Sequence, residues 1–322
     1  MPKLKREDIH LISHYSNWSE KGVQKALTET VYNDIPTWHT FLRLFFISLG
    51  IGFTIAGILF FFAYNWEDLH KFTKLGLIEG LVIVVTGIVV FSKLKEDIKN
   101  ILLTGAAILT GVLFAVFGQV YQTGANAYDL FLGWTFAVTI WAIIANYGPL
   151  WFVYLLLINT TILLYAEQVA HDWSFIFICT LLFIVNTIAF IAFFLSSKLV
   201  ANYQTPTWLL RILVITIVSY ATLGIINGIF DFNSDFFDSI FYVLLTLTIV
   251  AYSVGMYYGQ KQKNGFYLSV IPLSIIIIIA ATIIDATDGD GFMFLTVSFF
   301  IVVSVTLVIK NLLNLQKKKT DA

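Results

Sequence analysis

Ten separate apolar runs, most of them close to the roughly 20 residues that a helix needs to cross a hydrocarbon core of about 30 Å, constrain this chain more than any other feature. They lie near Leu42–Phe62, Phe72–Phe91, Ile98–Phe117, Leu130–Ala145, Leu150–Tyr165, Phe175–Leu195, Leu209–Ile229, Ile240–Tyr258, Phe266–Ile284 and Phe292–Leu312. In lipid the backbone must satisfy its own hydrogen bonds within each segment, so runs of this kind become helices. The expected fold is therefore all-α: a polytopic transmembrane helical bundle of ten spans. Composition agrees. The chain is 58% hydrophobic and 12% charged, whereas a soluble domain carries roughly a quarter of charged residues.

The fourth and fifth runs are short and divided only by Asn146-Tyr147-Gly148-Pro149. A proline cannot continue a helix without losing a backbone bond, so a tight turn between two spans is expected there. Reading these two runs as one kinked helix leads towards eight spans and is rejected on length. The basic residues support the same count. With the N-terminus inside, every lysine and arginine except Lys71 and Lys74 falls in an inside segment. The outside loops are acidic, with Glu67, Asp68, Glu167, Asp172, Asp231, Asp235 and Asp238 among them. The positive-inside rule then places both termini in the cytoplasm.

Three regions follow: a cytoplasmic helical segment over 1–40, a transmembrane domain over 41–312 and a basic tail over 313–322. In the first, Ile9, Ile12 and Tyr15 share one helix face and Val23, Ala26, Leu27 and Val31 another, with Ser19 as N-cap between them. An amphipathic hairpin, able to bind a cytoplasmic protein partner, is the expectation. Small residues recur every four on the first span (Ser48, Gly52, Ala56) and on the third (Ala107, Gly111, Ala115), a pattern that lets helices approach closely in lipid. No internal repeat in residue identity is visible. The single cysteine, Cys179, can form no internal disulfide.

Two polar places break the apolar pattern. Glu79 lies within the second span, about 10 Å from its outer end at 1.5 Å per residue. Intramembrane carboxylates usually face the bundle interior or a watery cavity, either as a functional group or as a hydrogen-bonded tie between helices. The segment GQVYQTGANAYD at 118–129 concentrates Gln119, Tyr121, Gln122, Thr123, Asn126, Tyr128 and Asp129 without any lysine or arginine. Such neutral groups suit a polyol, a sugar or a lipid headgroup, and Gly118 and Gly124 would let the backbone turn there. An interfacial aromatic belt accounts for the tyrosines but not for the paired glutamines. A third segment, Ala63 to Asp68, opens the loop before Glu79 and contributes Asn65.

FFAYNW at 61–66, the helix bearing Glu79 and GQVYQTGANAYDLFLGW at 118–134 resemble the bacterial membrane proteins grouped as domain-of-unknown-function family 2157, over about the first 170 residues. That family usually shows Asp where this chain has Asn126. The resemblance implies the bacterial cytoplasmic (inner) membrane and brings no mechanism.

Other signals point to less. Glu7, His10 and His14 share a helix face but lack a fourth metal ligand. Asp285-Ala-Thr-Asp288-Gly-Asp290 lacks the glutamate of a calcium loop and reads as an acidic outer turn. No nucleotide loop, nucleophile motif or zinc helix occurs, so no catalytic residue, cofactor or metal is expected, and nucleic acid is not a partner. The leading expectation is a carrier, transporter or flippase-like, that binds a polar small molecule or lipid headgroup on its outer half. Its site residues are Glu79, Gln119, Tyr121 and Gln122, with Asn65 and Asp129 framing the entrance. The alternative is a non-transporting envelope scaffold or sensor acting through the hairpin; a membrane enzyme on lipid-linked substrate ranks third.

Overall fold

The computed structural model describes residues 6–32, 35–64, 67, 69–199, 205–231, 239–287 and 291–320. They form α1 (Arg6–Tyr15), α2 (Glu20–Thr30), α3 (Ile35–Tyr64), α4 (Lys71–Phe91), α5 (Glu96–Tyr121), α6 (Ala127–Ala145) and α7 (Gly148–Gln168), followed by α8 (Phe175–Leu199), α9 (Thr207–Phe230), α10 (Ser239–Lys261), α11 (Gly265–Ala286) and α12 (Gly291–Thr320). No strand occurs among the described residues. Ten of the helices are long and apolar enough to cross a membrane. The chain divides into two compact units, Met1–Leu157 and Ile158–Ala322, with the boundary inside α7.

The first unit opens with a helical hairpin. Ser19 caps α2, its hydroxyl accepting from the Gly22 N–H at 3.2 Å. Ile9 and Leu27 are buried, whereas Ile12 and Tyr15 are exposed. Among the spans, α5 is the hub and packs against α3, α4 and α6. One cluster joins Phe62 of α3, Ile78 of α4 and Val112 and Val116 of α5; another joins Leu103 and Ala107 of α5 to Val138 and Ala142 of α6 and Leu150 of α7. Ile51 lies where a Cβ on Gly105 would stand, and Phe62 groups with Val116 at the same offset, so α3 and α5 run parallel. Trp134 against Gly111 and Gly133 against Phe114 set α6 antiparallel to α5. This is the alternation that successive spans require.

The two small-residue stripes have different fates. On α5, Ala107 and Gly111 are buried, and the Trp134 ring occupies the space where a Cβ on Gly111 would stand. On α3, a Cβ at Gly52 would meet nothing within 4 Å.

The turn between the fourth and fifth spans is two helix ends back to back. α6 stops at Ala145, Asn146 takes the left-handed conformation (φ 45°) that asparagine tolerates, and α7 starts at Gly148. The ten-span reading therefore holds. Tyr147, in this turn, has its phenol pKa raised by burial and by the Asp97 carboxylate, which opens α5. The α4–α5 and α6–α7 connections thus lie at one end of the unit.

In the second unit α9 packs against α8, α10 and α11. Leu244 and Phe241 of α10 fill the space beside Gly224 and Gly228 of α9, and Ile271 and Leu268 of α11 do so beside Gly255 and Gly259 of α10. Neighbours again run antiparallel. Where α8 and α10 end and α9 and α11 begin, cations sit on rings: Lys198 over Phe194 at 4.2 Å and Arg211 over Phe266 at 5.6 Å. Tyr258 meets both Phe194 and Tyr267 edge to face. Aromatic rings beside lysine and arginine mark a membrane–water boundary.

Candidate functional site

The segment 118–129 caps one helix and starts the next, and each step has a local cause. At the end of α5, Gln122 turns into the left-handed region (φ 43°) and its N–H bonds to the Gly118 carbonyl. The Thr123 N–H reaches the same carbonyl at 3.4 Å. Gly124 is also left-handed, at φ 63°, where glycine carries no Cβ penalty. Asn126 then returns to extended backbone as the N-cap of α6, and the Asp129 carboxylate accepts from the Asn126 N–H at 3.0 Å. Asp129 thus has a capping task, which alone explains an acid in the first turn of α6.

Between the two helix ends lies an open-sided concavity of about 590 Å³. Its polar wall comes from Gln119, Gln122, Thr123, Asn126 and Asp129; Phe114, Ala115, Phe117 and Leu130 form the apolar wall. Ala115 and Gln119, four residues apart, share one face of α5, and Gln122 follows at the left-handed cap of the same helix. Among the described residues no basic side chain lines it, and Asp129 contributes a carboxylate. Amide and hydroxyl groups over an apolar floor suit a ligand with hydroxyls or amides at one end and hydrocarbon at the other.

Gln122 stands out within this wall. A non-glycine residue in the left-handed region costs on the order of 1 kcal/mol or more, and glycine is the usual residue at a helix end of this shape. Gln122 therefore borders the concavity at a conformational cost.

The expected site residues do not all meet here. Gln119, Gln122 and Asp129 line the concavity together. Tyr121 does not; its ring lies beside Phe117 with centroids 4.7 Å apart, and it is exposed. Glu79 does not either. Lys74 and Ile78, four apart, are buried on the face that α4 turns to its neighbours, and Glu79 stands exposed one residue further round. Glu79 thus stands on the outward face of α4, and the buried ionisable side chain of that helix is Lys74, which is 8% exposed. Asn65 lies outside the described residues, as do the side chains of Glu7 and His10 and the residues Asp288 and Asp290. The apolar wall from Phe114, Phe117 and Leu130 escaped the sequence reading, although Phe114 and Gly118 share a face with the same four-residue spacing as Ala115 and Gln119.

The fold and this site define a multi-pass helical membrane protein. Over residues 20–151, from α2 to the start of α7, the chain matches the family model described as "Predicted membrane protein (DUF2157)", and the whole concavity lies within that match. No curated protein and no solved structure matches the chain.

Proposed function

We propose that this protein is a carrier of the bacterial cytoplasmic membrane, transporter or flippase-like, that binds a polar small molecule or lipid headgroup in the α5–α6 concavity, on the outer half of the bilayer. One observation carries the reading: Gln122, held in a left-handed conformation where glycine would cost less, borders a concavity together with Gln119, Thr123 and Asn126. The open side and the apolar wall suit a ligand entering from the lipid, its headgroup against the amides and its chain against Phe114 and Leu130. The outward direction rests on the charge segregation of the loops.

The test is thermal unfolding of purified protein in detergent against a panel of polyols, sugars and lipid headgroups, beside Gln119→Ala and Gln122→Gly. A ligand that binds only the folded state stabilises it by about 2.7 kcal/mol at a hundredfold excess over its Kd. Stabilisation by one ligand class, lost in both variants, supports the reading; equal midpoints across the whole panel overturn it.

A second reading, a scaffold or sensor, draws on the hairpin. Ile12, Tyr15 and Trp18 are exposed there, more apolar surface than a solvated hairpin needs. Deleting residues 1–32 separates the two: ligand stabilisation survives if the concavity carries the function.

A further inference from the structure

The second unit sorts its charges between its two ends. Among the described residues its acids, Glu167, Asp172, Asp231 and Asp285, fall where α7, α9 and α11 finish. Lys198, Arg211, Lys261 and Lys263 fall at the other end, where α8 and α10 stop and α9 and α11 begin. Leu312 beside Gly265 brings Lys310 of α12 to that end too. No acid occurs between Trp173 and Phe230, or between Ser239 and Ile284. On α9 the cation and the nearest acid are therefore most of a helix apart, about 30 Å at 1.5 Å per residue. Lys198, Arg211, Lys261 and Lys310 have no carboxylate partner among the described residues. The first unit differs: Glu96 and Asp97 stand close in sequence to Lys93, Lys95 and Lys99, and Lys99 pairs with Glu96 at 3.7 Å.

These cations are also held in place. Lys198 stands over Phe194, Arg211 over Phe266 and Lys261 over Tyr257, the last at 5.9 Å. Tyr258 and Tyr267 join the first two rings edge to face. A ring positions a cation without neutralising it, so the charge stays available to an anion. Each of the three cations, moreover, adjoins an exposed apolar stripe. Ile188, Ile191 and Leu195 lead to Lys198 along one face of α8 at spacings of three and four residues. Val250, Val254 and Tyr257 lead to Lys261 on α10 in the same way, and Arg211 lies between the exposed Trp208 and Ile215 on α9. A fixed cation at the membrane–water boundary, with a hydrocarbon-facing stripe running away from it, complements an amphiphile with an anionic head and a long chain.

We infer that this end of the second unit binds anionic phospholipid, with lipid phosphates on Lys198, Arg211 and Lys261 and acyl chains along the stripes of α8 and α10. The planar fork of Arg211 suits two phosphate oxygens at once, and the lysines act as point charges. A soluble phosphate matches the cations and leaves the stripes unused. A zwitterionic lipid matches the stripes but brings an ammonium of its own, which an end without acids repels. Only an anionic lipid matches both. The site is separate from the α5–α6 concavity, which lies in the first unit.

Native mass spectrometry of the purified chain tests this, with phosphatidylglycerol and phosphatidylcholine of identical acyl chains added in equal amounts. Each cation near an anionic headgroup contributes about fivefold, so phosphatidylglycerol should bind roughly tenfold tighter or more. Lys198→Gln, Arg211→Gln and Lys261→Gln combined should bring the two lipids close to equal. Lys93→Gln, Lys95→Gln and Lys99→Gln combined, in the first unit, should keep the preference. Glycerol phosphate, the same head chemistry without chains, should not displace the lipid. Because the three side chains of the second unit are exposed, their variant should keep the parent's unfolding midpoint. Should it unfold, Lys198→Gln and Arg211→Gln are read singly, each losing about fivefold. Equal binding of both lipids by the parent, or a preference that survives the second-unit substitutions, overturns the site. A preference lost equally in the first-unit variant overturns its location, and displacement by glycerol phosphate overturns the lipid in favour of a soluble anion.

Discussion

The indole N–H of Trp134 donates to the backbone carbonyl of Ala107 at 2.7 Å, and the same ring lies where a side chain on Gly111 would have to be. One residue of α6 thus rivets it to α5 by a hydrogen bond and by shape. These two helices also wall the concavity, so their separation sets its width.

Gly111→Ala drives a methyl into that ring. Overpacking of this kind typically costs about 1–3 kcal/mol. Trp134→Phe, which keeps most of the ring and loses the bond, should cost about 1 kcal/mol. Thermal midpoints in detergent check the order: Gly111→Ala lowers the midpoint more. A combined Gly111→Ala, Trp134→Phe variant should cost less than the two effects added, because both act on one contact.

Gln122→Gly should do two opposite things. Relief of the left-handed backbone stabilises the folded protein by about 1 kcal/mol, read as a raised midpoint. The same change strips an amide from the concavity and should remove ligand stabilisation. A variant that is less stable than the parent would show that the side chain serves the fold.

In the second unit Asn159 and Asn186 hold each other by both amides, at 3.2 and 2.7 Å, and Asn186 also donates to the Leu182 carbonyl. Interhelical polar bonds in membranes contribute about 0.6 kcal/mol on average and up to about 1.7. Asn159→Leu should cost at the upper end, since Asn186 is 1% exposed and keeps only its backbone bond. The double leucine variant should be more stable than Asn159→Leu alone. A double-mutant cycle on thermal midpoints gives the coupling.

Three buried hydroxyls in the same unit form a chain with a direction. Thr222 gives its single proton to the Val218 carbonyl at 2.6 Å, so it accepts from Ser274, which in turn accepts from Tyr252, each at 2.6 Å. Ser274→Ala therefore orphans the Tyr252 donor and removes the donor to Thr222. Tyr252→Phe removes the head of the chain and leaves the Ser274–Thr222 bond. Ser274→Ala should lower the midpoint more than Tyr252→Phe, by about 1 kcal/mol, the size of one buried unsatisfied donor. The reverse order would contradict the assigned direction.

Much of this protein follows from local chemistry. Span number, the break at Asn146–Gly148 and the Ser19 cap depend on runs of neighbouring residues: the hydrocarbon core demands about 20 apolar residues per helix, a left-handed asparagine ends one helix while Pro149 fits the first turn of the next, and serine starts a helix. The use of 118–129 as a polar connection was legible for the same reason, since paired glutamines without any lysine or arginine are unusual in a loop. Which way each helix turns its faces was not. A rotation of about 100° decides between Ile78, which is buried, and Glu79, which is exposed, and both occupy the same apolar run. That rotation is set by how Phe62, Val112 and Val116 pack against α4, contacts between residues far apart in the chain. The apolar wall of the concavity and the Trp134 rivet belong to the same class, because sequence spacing places residues on a helix face while only tertiary packing determines what that face meets.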